Sequence, residues 1–262
     1  MIIDQTPQGT PEWLALRRGK ITGTRLKEVM GTANAKLALT AELIAEEGAY
    51  SDVEMKEMLH KATQVAQEAV IADTQIVEEE VVFQSANKDN TKSAAMKRGN
   101  EKEPEAIALF ERQTGKKVTS TGLCIHDKHN WLALSPDGFI ADEHGVFTEG
   151  IEVKSPNSKT AILYKLVNMI DNKELGITPA KKSVLEVPPE YIWQCVHYFI
   201  VNEDLKKLHF GVYDDRFKDD KNKLTMVVLD RENEELQDLI SKATVALLVF
   251  RTNWLKWKEV VV

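Results

Sequence analysis

The chain has 262 residues, of which 43% are apolar and 29% charged, the balance of a globular protein with room for a sizeable core. No apolar run approaches the roughly 18 residues of a membrane span, no basic start with an apolar stretch suggests a secretory signal, and two cysteines, Cys124 and Cys195, are too few for a disulfide framework or a four-thiolate cluster. A net charge of −7 counts against a nucleic-acid binder only as a sum, because affinity for phosphate depends on where Lys and Arg gather. They gather in two places. Arg17, Arg18, Lys20, Arg25 and Lys27 lie between Trp13 and Glu28, and a lysine-rich stretch runs from Lys154 to Lys182. Acid concentrates at Glu78–Glu80 and Asp230–Glu235, so an acidic exterior with one basic groove is compatible with the sequence. A reducing cytoplasm is the expected location.

Taken in chain order, residues 10–31 read as helix, loop and helix. Thr10-Pro11 forms an N-cap and first-turn pair, and Gly19 can close the first helix. Residues 39–47 and 53–71 have helical composition, and 84–93 read as a polar loop. A helix is expected over about 93–114, with Ala106, Ile107 and Phe110 as its inner stripe, Pro104 inside it and Gly115 as its stop. The period then changes to two, with strands expected at 117–126, 131–135, 138–142 and 147–154. Pro188-Pro189 introduces a helix at about 190–201. Strands follow at 207–213 and 224–229, and a long helix at about 231–258. This order predicts an α+β fold, or a mixed α/β sheet flanked by helices. One domain over 1–262, with a helical insertion at about 50–95, is the economical organisation.

The chemistry concentrates in Ser135-Pro136-Asp137-Gly138 and Ile151-Glu152-Val153-Lys154. Pro136 and Gly138 fix a turn that can hold the Asp137 carboxylate at a strand end. On a strand, Glu152 and Lys154 share one face and Ile151 and Val153 the other. Charges on an otherwise apolar strand need a partner or a metal, since burying them bare costs several kcal/mol each. Mg²⁺ answers that need, because it takes oxygen ligands and requires only one or two protein carboxylates beside water and substrate phosphate. Asp137 and Glu152, on adjacent strands of a hairpin turning near His144-Gly145, can supply them, with the Val153 carbonyl as a further ligand. Lys154 can then orient or deprotonate the attacking water, or neutralise charge on the phosphate. A helix carboxylate from the run 98–105 can join, and spacing alone leaves Glu101, Glu103 and Glu105 equal. An SPDG turn alone is a common surface turn, and a lone Glu-x-Lys on a strand a common solvated edge. It is the combination that points to a metal-dependent phosphodiesterase.

Five blocks in order carry a resemblance: TrpLeuAlaLeuArgArgGlyLysIleThrGlyThr (13–24), ArgGlyAsnGluLysGluProGluAla (98–106), SerProAspGly (135–138), IleGluValLysSerPro (151–156) and TyrIleTrpGlnCysValHisTyr (191–198). The sequence resembles the lambda exonuclease and YqaJ-type viral recombinase group within the PD-(D/E)XK nucleases. That resemblance implies a restriction-endonuclease-like core and an exonuclease that degrades one strand of a DNA duplex from its 5′ end. It implies Asp137 and Glu152 as metal ligands, Lys154 as the catalytic lysine, Glu103 as the helix carboxylate and Gln194 as the helix glutamine beside the metal. Arg17 would contact the terminal 5′-phosphate with Thr24 beside it, and Arg18 is the rival to Arg17. Tyr191, Gln194 and Tyr198 fall on one helical face, with Ile192, Val196 and Phe199 turned to the core. Mg²⁺, or Mn²⁺ in its place, a homotrimeric ring, a single-strand annealing partner and a phage or prophage source acting in the bacterial cytoplasm are also implied. The stretch 50–95 carries few matching residues, and Thr24 stands where the lambda enzyme has serine. An endonuclease on the same core, or a non-catalytic DNA-binding subunit, are the competing readings.

Overall fold

The computed structural model describes residues 1–48, 94–169 and 184–261. The helix expected at 53–71, the loop at 84–93 and the insertion at 50–95 lie outside the described residues, apart from the last two residues of the insertion. The N-terminal region holds strand β1 (Ile2–Asp4) and helices α1 (Pro11–Arg17), α2 (Gly23–Val29) and α3 (Ala33–Gly48). Helix α4 (Ala94–Thr114) precedes β2 (Leu123–Ile125), β3 (Ala133–Leu134), β4 (Gly138–Ala141) and β5 (Phe147–Lys154). Then come α5 (Ser158–Met169), α6 (Ile192–Val201), β6 (Lys207–Tyr213), the short α7 (Asp220–Lys223), β7 (Leu224–Asp230) and α8 (Glu234–Val261). Among the described residues no helix is long and apolar enough to cross a membrane.

Local signals explain many of the boundaries. Thr10 Oγ1 accepts the Trp13 amide at 3.2 Å and opens α1 behind Pro11. Gly145 closes the β4–β5 hairpin with φ +79°, a conformation that favours glycine. Several elements differ from expectation. Only 123–125 of the stretch 117–126 is a strand, with Thr119 making an isolated bridge to Phe139. Helix α5 was unmarked in the sequence because it is apolar nearly all round: Ala161 and Tyr164 are buried while Ile162, Leu163 and Leu166 are exposed, so no stripe stands out.

Among the described residues the strands form two sheets. β1, β2 and β3 pair antiparallel, and β4-β5-β6-β7 form a mixed sheet in which only β5 and β6 run parallel. A parallel pair needs a crossover, and here it carries α5 and α6 between β5 and β6. α4 covers one face of the mixed sheet: Ala106, Leu109 and Phe110 pack with Ile151, Val153, Tyr213 and Leu224. On the other face Tyr198, Phe199, Phe210 and Trp254 belong to a core built mainly from α2, α3, α6 and α8. Fully burying a side chain of that size stabilises by about 1.5–3 kcal/mol. As a result β5 is interior, and it delivers Glu152 to the α6 side.

His197 ties the second sheet to α6. It is fully buried, and its Nε2 donates to the Ala133 carbonyl at 2.8 Å. Burial pushes its pKa down to about 4 from 6.5. The unfolded chain therefore binds a proton that the folded chain refuses. The stability His197 contributes is present above pH about 6.5 and is lost as pH falls towards 4, at up to about 1.4 kcal/mol per pH unit. Chemical denaturation at stepped pH should show that slope in the wild type and a shallower one in His197→Gln.

Candidate active site

Asp137 ends the Ser135-Pro136 turn just before β4, whose register sets Gly138 opposite Ile151. A side chain at Gly138 would lie 2.2 Å from Val118 Cγ1, so the position needs glycine and the turn is packed from behind. Asp137 Oδ2 accepts the Val153 amide at 2.7 Å. In a strand the amide and carbonyl of one residue point to the same flank, which places the Val153 carbonyl on the Asp137 side as well.

Glu152 is fully buried and its carboxylate is held by polar partners. Its Oε1 accepts from Lys154 Nζ and, at 2.6 Å, from Gln194 Nε2, and its Oε2 accepts the Tyr198 hydroxyl at 2.5 Å. The same Tyr198 oxygen accepts the Asp137 amide at 3.2 Å. One hydroxyl on α6 thus fastens the start of β4 to the end of β5. The Lys154 ammonium lies 5.3 Å from the centre of the Tyr191 ring. Burial works against its charge, but Glu152 and Asp137 outweigh burial and hold its pKa above the ordinary lysine value. Burial, then the neighbouring Glu152 carboxylate, push Asp137 well up, with Glu103 adding to the effect. Cys195 is buried beside this group, and burial raises its thiol well above the usual range, which leaves it inert as a nucleophile.

Of the three helix carboxylates, Glu103 has the surroundings nearest to the site. Glu103 is partly buried, and burial together with Glu152 raises its pKa while Lys154 lowers it. It therefore lies close enough to feel the charges of Glu152 and Lys154. Glu101 is exposed, and Glu105 accepts from Lys102 at 2.7 Å and from Tyr213 at 3.1 Å. Asp137, Glu152, Lys154, Gln194 and Glu103 come together as the sequence predicts. The donor set is all oxygen and its carboxylates repel one another, which fits a hard divalent cation. Among the described residues no group of three or more His, Cys, Asp or Glu is arranged to hold a metal ion by itself, so a cation here would need the Val153 carbonyl, water or substrate phosphate to complete its shell.

The first block forms a second cluster. The Arg17 guanidinium stacks 4.3 Å from the centre of the Trp13 ring, and its Nη2 reaches Thr22 Oγ1 at 3.4 Å. Thr24 Oγ1 lies 3.5 Å from Thr22 Oγ1. Arg18 is exposed at the end of α1, whereas Arg17 adjoins the threonines. The basic run is less free than its composition suggests, because Arg25 is held by Glu42 and Glu46, and Lys20 by the Asn130 carbonyl. The two clusters adjoin. A side chain at Gly23 would lie 3.1 Å from Gln194 Cγ. Sequence reasoning assigned no role to the side chains of Tyr198 or Tyr191. The signal for Tyr198 was its four-residue spacing from Gln194, which puts both on one helical face.

Losing the Tyr198 hydroxyl should cost about 2 kcal/mol, the scale of a hydrogen bond to a charged group. Thermal unfolding of Tyr198→Phe checks this, and a melting temperature equal to that of wild type would show the hydroxyl to be idle.

The pattern of the YqaJ-like viral recombinase domain matches residues 12–204. The chain belongs to that family. The YqaJ-like match takes in Arg17, Glu103, Asp137, Glu152, Lys154 and Gln194 and ends before β6. No curated protein matches the chain significantly. Among solved structures, the crystal structure of an alkaline exonuclease (LHK-Exo) from Laribacter hongkongensis is 26% identical with a TM-score of 0.61, covering 96% of each chain. The structure of LHK-Exo in complex with dAMP is 25% identical with a TM-score of 0.57, covering 95% of this chain and 97% of that one. The YqaJ-like chain thus shares the mixed α/β architecture, sheets flanked by helices, of alkaline exonucleases of the PD-(D/E)XK type.

Proposed function

We propose that the chain is a metal-dependent exonuclease that degrades one strand of duplex DNA from its 5′ end and leaves 3′ single-stranded overhangs. Family membership supports a nuclease role in recombination. The observation that carries the finer reading is the partly buried Asp137–Glu152–Lys154–Gln194–Tyr198 cluster set against the Arg17–Thr22–Thr24 group. Asp137, Glu152, Glu103 and the Val153 carbonyl would hold Mg²⁺, or Mn²⁺ in its place. Such a cation supplies Lewis acidity and lowers the pKa of bound water.

The side chains do the rest. Gln194 and Tyr198 hold Glu152 in one orientation, so it need not reorganise when substrate arrives. Lys154, kept charged by its neighbours, acts as a donor: it positions the attacking water or neutralises charge on the scissile phosphate. Arg17, oriented by the Trp13 ring, is suited to a terminal phosphate, which a guanidinium grips with two parallel bonds. A ring-shaped homotrimer and a single-strand annealing partner in the bacterial cytoplasm belong to the same reading.

The test is a linear 5′-phosphorylated duplex and a covalently closed circle, each incubated with Mg²⁺. The linear duplex should be consumed and the circle left intact. A cut circle would favour an endonuclease, and an intact linear duplex would end the reading. Arg17→Ala should lower kcat/KM on 5′-phosphorylated ends by about 10–100-fold, the equivalent of 1.5–3 kcal/mol for bonds to a charged group. The loss should be much smaller on 5′-hydroxyl ends. Equal loss on both would argue against a phosphate pocket.

A further inference from the structure

The mechanism above makes no use of an ion network at the exit of β6. Asp215 accepts from Arg98 Nη2 at 2.5 Å and from Lys102 Nζ at 2.9 Å. Arg98 and Lys102 lie four residues apart on α4 and so share a face. Next door, Asp214 is almost fully buried and accepts from Arg216 Nε at 2.6 Å. Arg216 Nη2 donates onward to the Pro156 carbonyl at 3.1 Å. Since Lys154 pairs with Val212 across the parallel strands, Asp214 and Pro156 each lie two residues beyond that pair. One three-residue loop therefore reaches both the helix that carries Glu103 and the strand exit behind Lys154.

Pro104 gives the network a reason. It sits inside α4, where it removes the hydrogen bond to the carbonyl of Asn100 and crowds it, a penalty of about 3 kcal/mol or more in a helix interior. The turn bearing Glu103 is thus the weak turn of its helix. Arg98 and Lys102 tie it down on one side of the proline, and Glu105 ties it on the other through Tyr213 at 3.1 Å. These groups are partly enclosed: the side chains of Arg98, Lys102 and Asp215 are 25%, 24% and 24% exposed. That sets them apart from solvated surface pairs, which contribute little.

We propose that Asp215 is a positioning residue for the metal site, holding the Pro104-weakened turn of α4 through Arg98 and Lys102 so that Glu103 faces Glu152, while Asp214 and Arg216 steady the strand end behind Lys154. This rests on the reading of Glu103 and Glu152 as metal ligands. The test uses the full chain without DNA, titrated with Mn²⁺, and reads the Mn²⁺ concentration at the midpoint of the rise in unfolding temperature. Asp215→Asn should raise that midpoint by about 10–100-fold, the usual effect of releasing a group that orients a ligand. Asp215→Glu should recover most of the loss. In a Glu103→Gln background, Asp215→Asn should have no further effect, whereas a merely structural role would give the same destabilisation in both backgrounds. If Asp215→Asn does not fold, Lys102→Met removes one arm and should move the midpoint in the same direction. An unchanged midpoint in folded Asp215→Asn or Lys102→Met, or full additivity with Glu103→Gln, overturns the proposal. So does a wild type that Mn²⁺ does not stabilise. A wild type that Mn²⁺ stabilises but that cuts no DNA sinks the exonuclease reading alone, and the shift in the Asp215 variants still decides this one.

Discussion

Lys154→Ala is expected to lower cleavage of a linear duplex by about 10²–10⁴-fold, the contribution of a well-placed proton donor or acceptor. The ammonium is bonded to Glu152, lies over the Tyr191 ring, and is kept charged by Glu152 and Asp137. No other cation is bonded to Glu152 among the described residues, so nothing nearby can substitute. Stability should suffer less than activity. Glu152 is buried, but it keeps the Gln194 and Tyr198 donors when Lys154 is gone, so it is not a wholly uncompensated buried charge, which would cost about 3–5 kcal/mol. Duplex binding measured by fluorescence anisotropy in EDTA should be retained. Undiminished cleavage by a folded Lys154→Ala protein would remove the mechanism and leave the non-catalytic, DNA-binding reading in its place.

Asp137→Asn should part function from stability. Burial and Glu152 raise the Asp137 pKa in the folded chain. The sign follows from linkage: the stability a raised carboxyl contributes is complete below its unfolded pKa and is lost as pH rises through its folded value. At neutral pH the ionised group is therefore a liability unless a cation compensates it. Asparagine keeps an oxygen for the Val153 amide and loses the charge. The variant should be inactive yet melt higher than wild type in EDTA, each kcal/mol gained appearing as about 2–4 °C for a chain of this size. Adding Mg²⁺ should then raise the melting temperature of wild type and leave the variant where it was. A variant that melts lower than wild type in EDTA would show that the carboxylates do not strain the metal-free protein.

These expectations rest on residues whose legibility in the sequence was uneven. Asp137, Glu152 and Lys154 could be read because a Pro-Gly turn and a two-residue period are local rules, obeyed on any strand. Glu103 could not be separated from Glu101 and Glu105, since neighbouring helical positions differ by a rotation that only the docked sheet fixes. Tyr198 looked like one more core aromatic: its ring is buried, and only its hydroxyl shows that it holds Asp137 and Glu152 together. Arg25 looked as available as Arg17, and its engagement with Glu42 and Glu46 is a tertiary fact. At the level of fold, most helices and the strands of the mixed sheet were visible in their periodicity. In the three-stranded sheet, β2 and β3 fall inside the expected strands 117–126 and 131–135 but are shorter, while β1 was missed because its three residues carry no period long enough to read.

The hydrogen bonds to Glu152 also carry a folding order. Asp137 and the Val153 amide it receives are 16 residues apart, within one hairpin, and such short loops close early and fast. Gln194 and Tyr198 reach the Glu152 carboxylate from 42 and 46 residues away, across a crossover that must first traverse the sheet. The acidic hairpin is thus expected to form before the helix that latches it. In refolding experiments, protection of the amides of β4 and β5 should precede the protection of α6, and recovery of the active centre should follow the slower event.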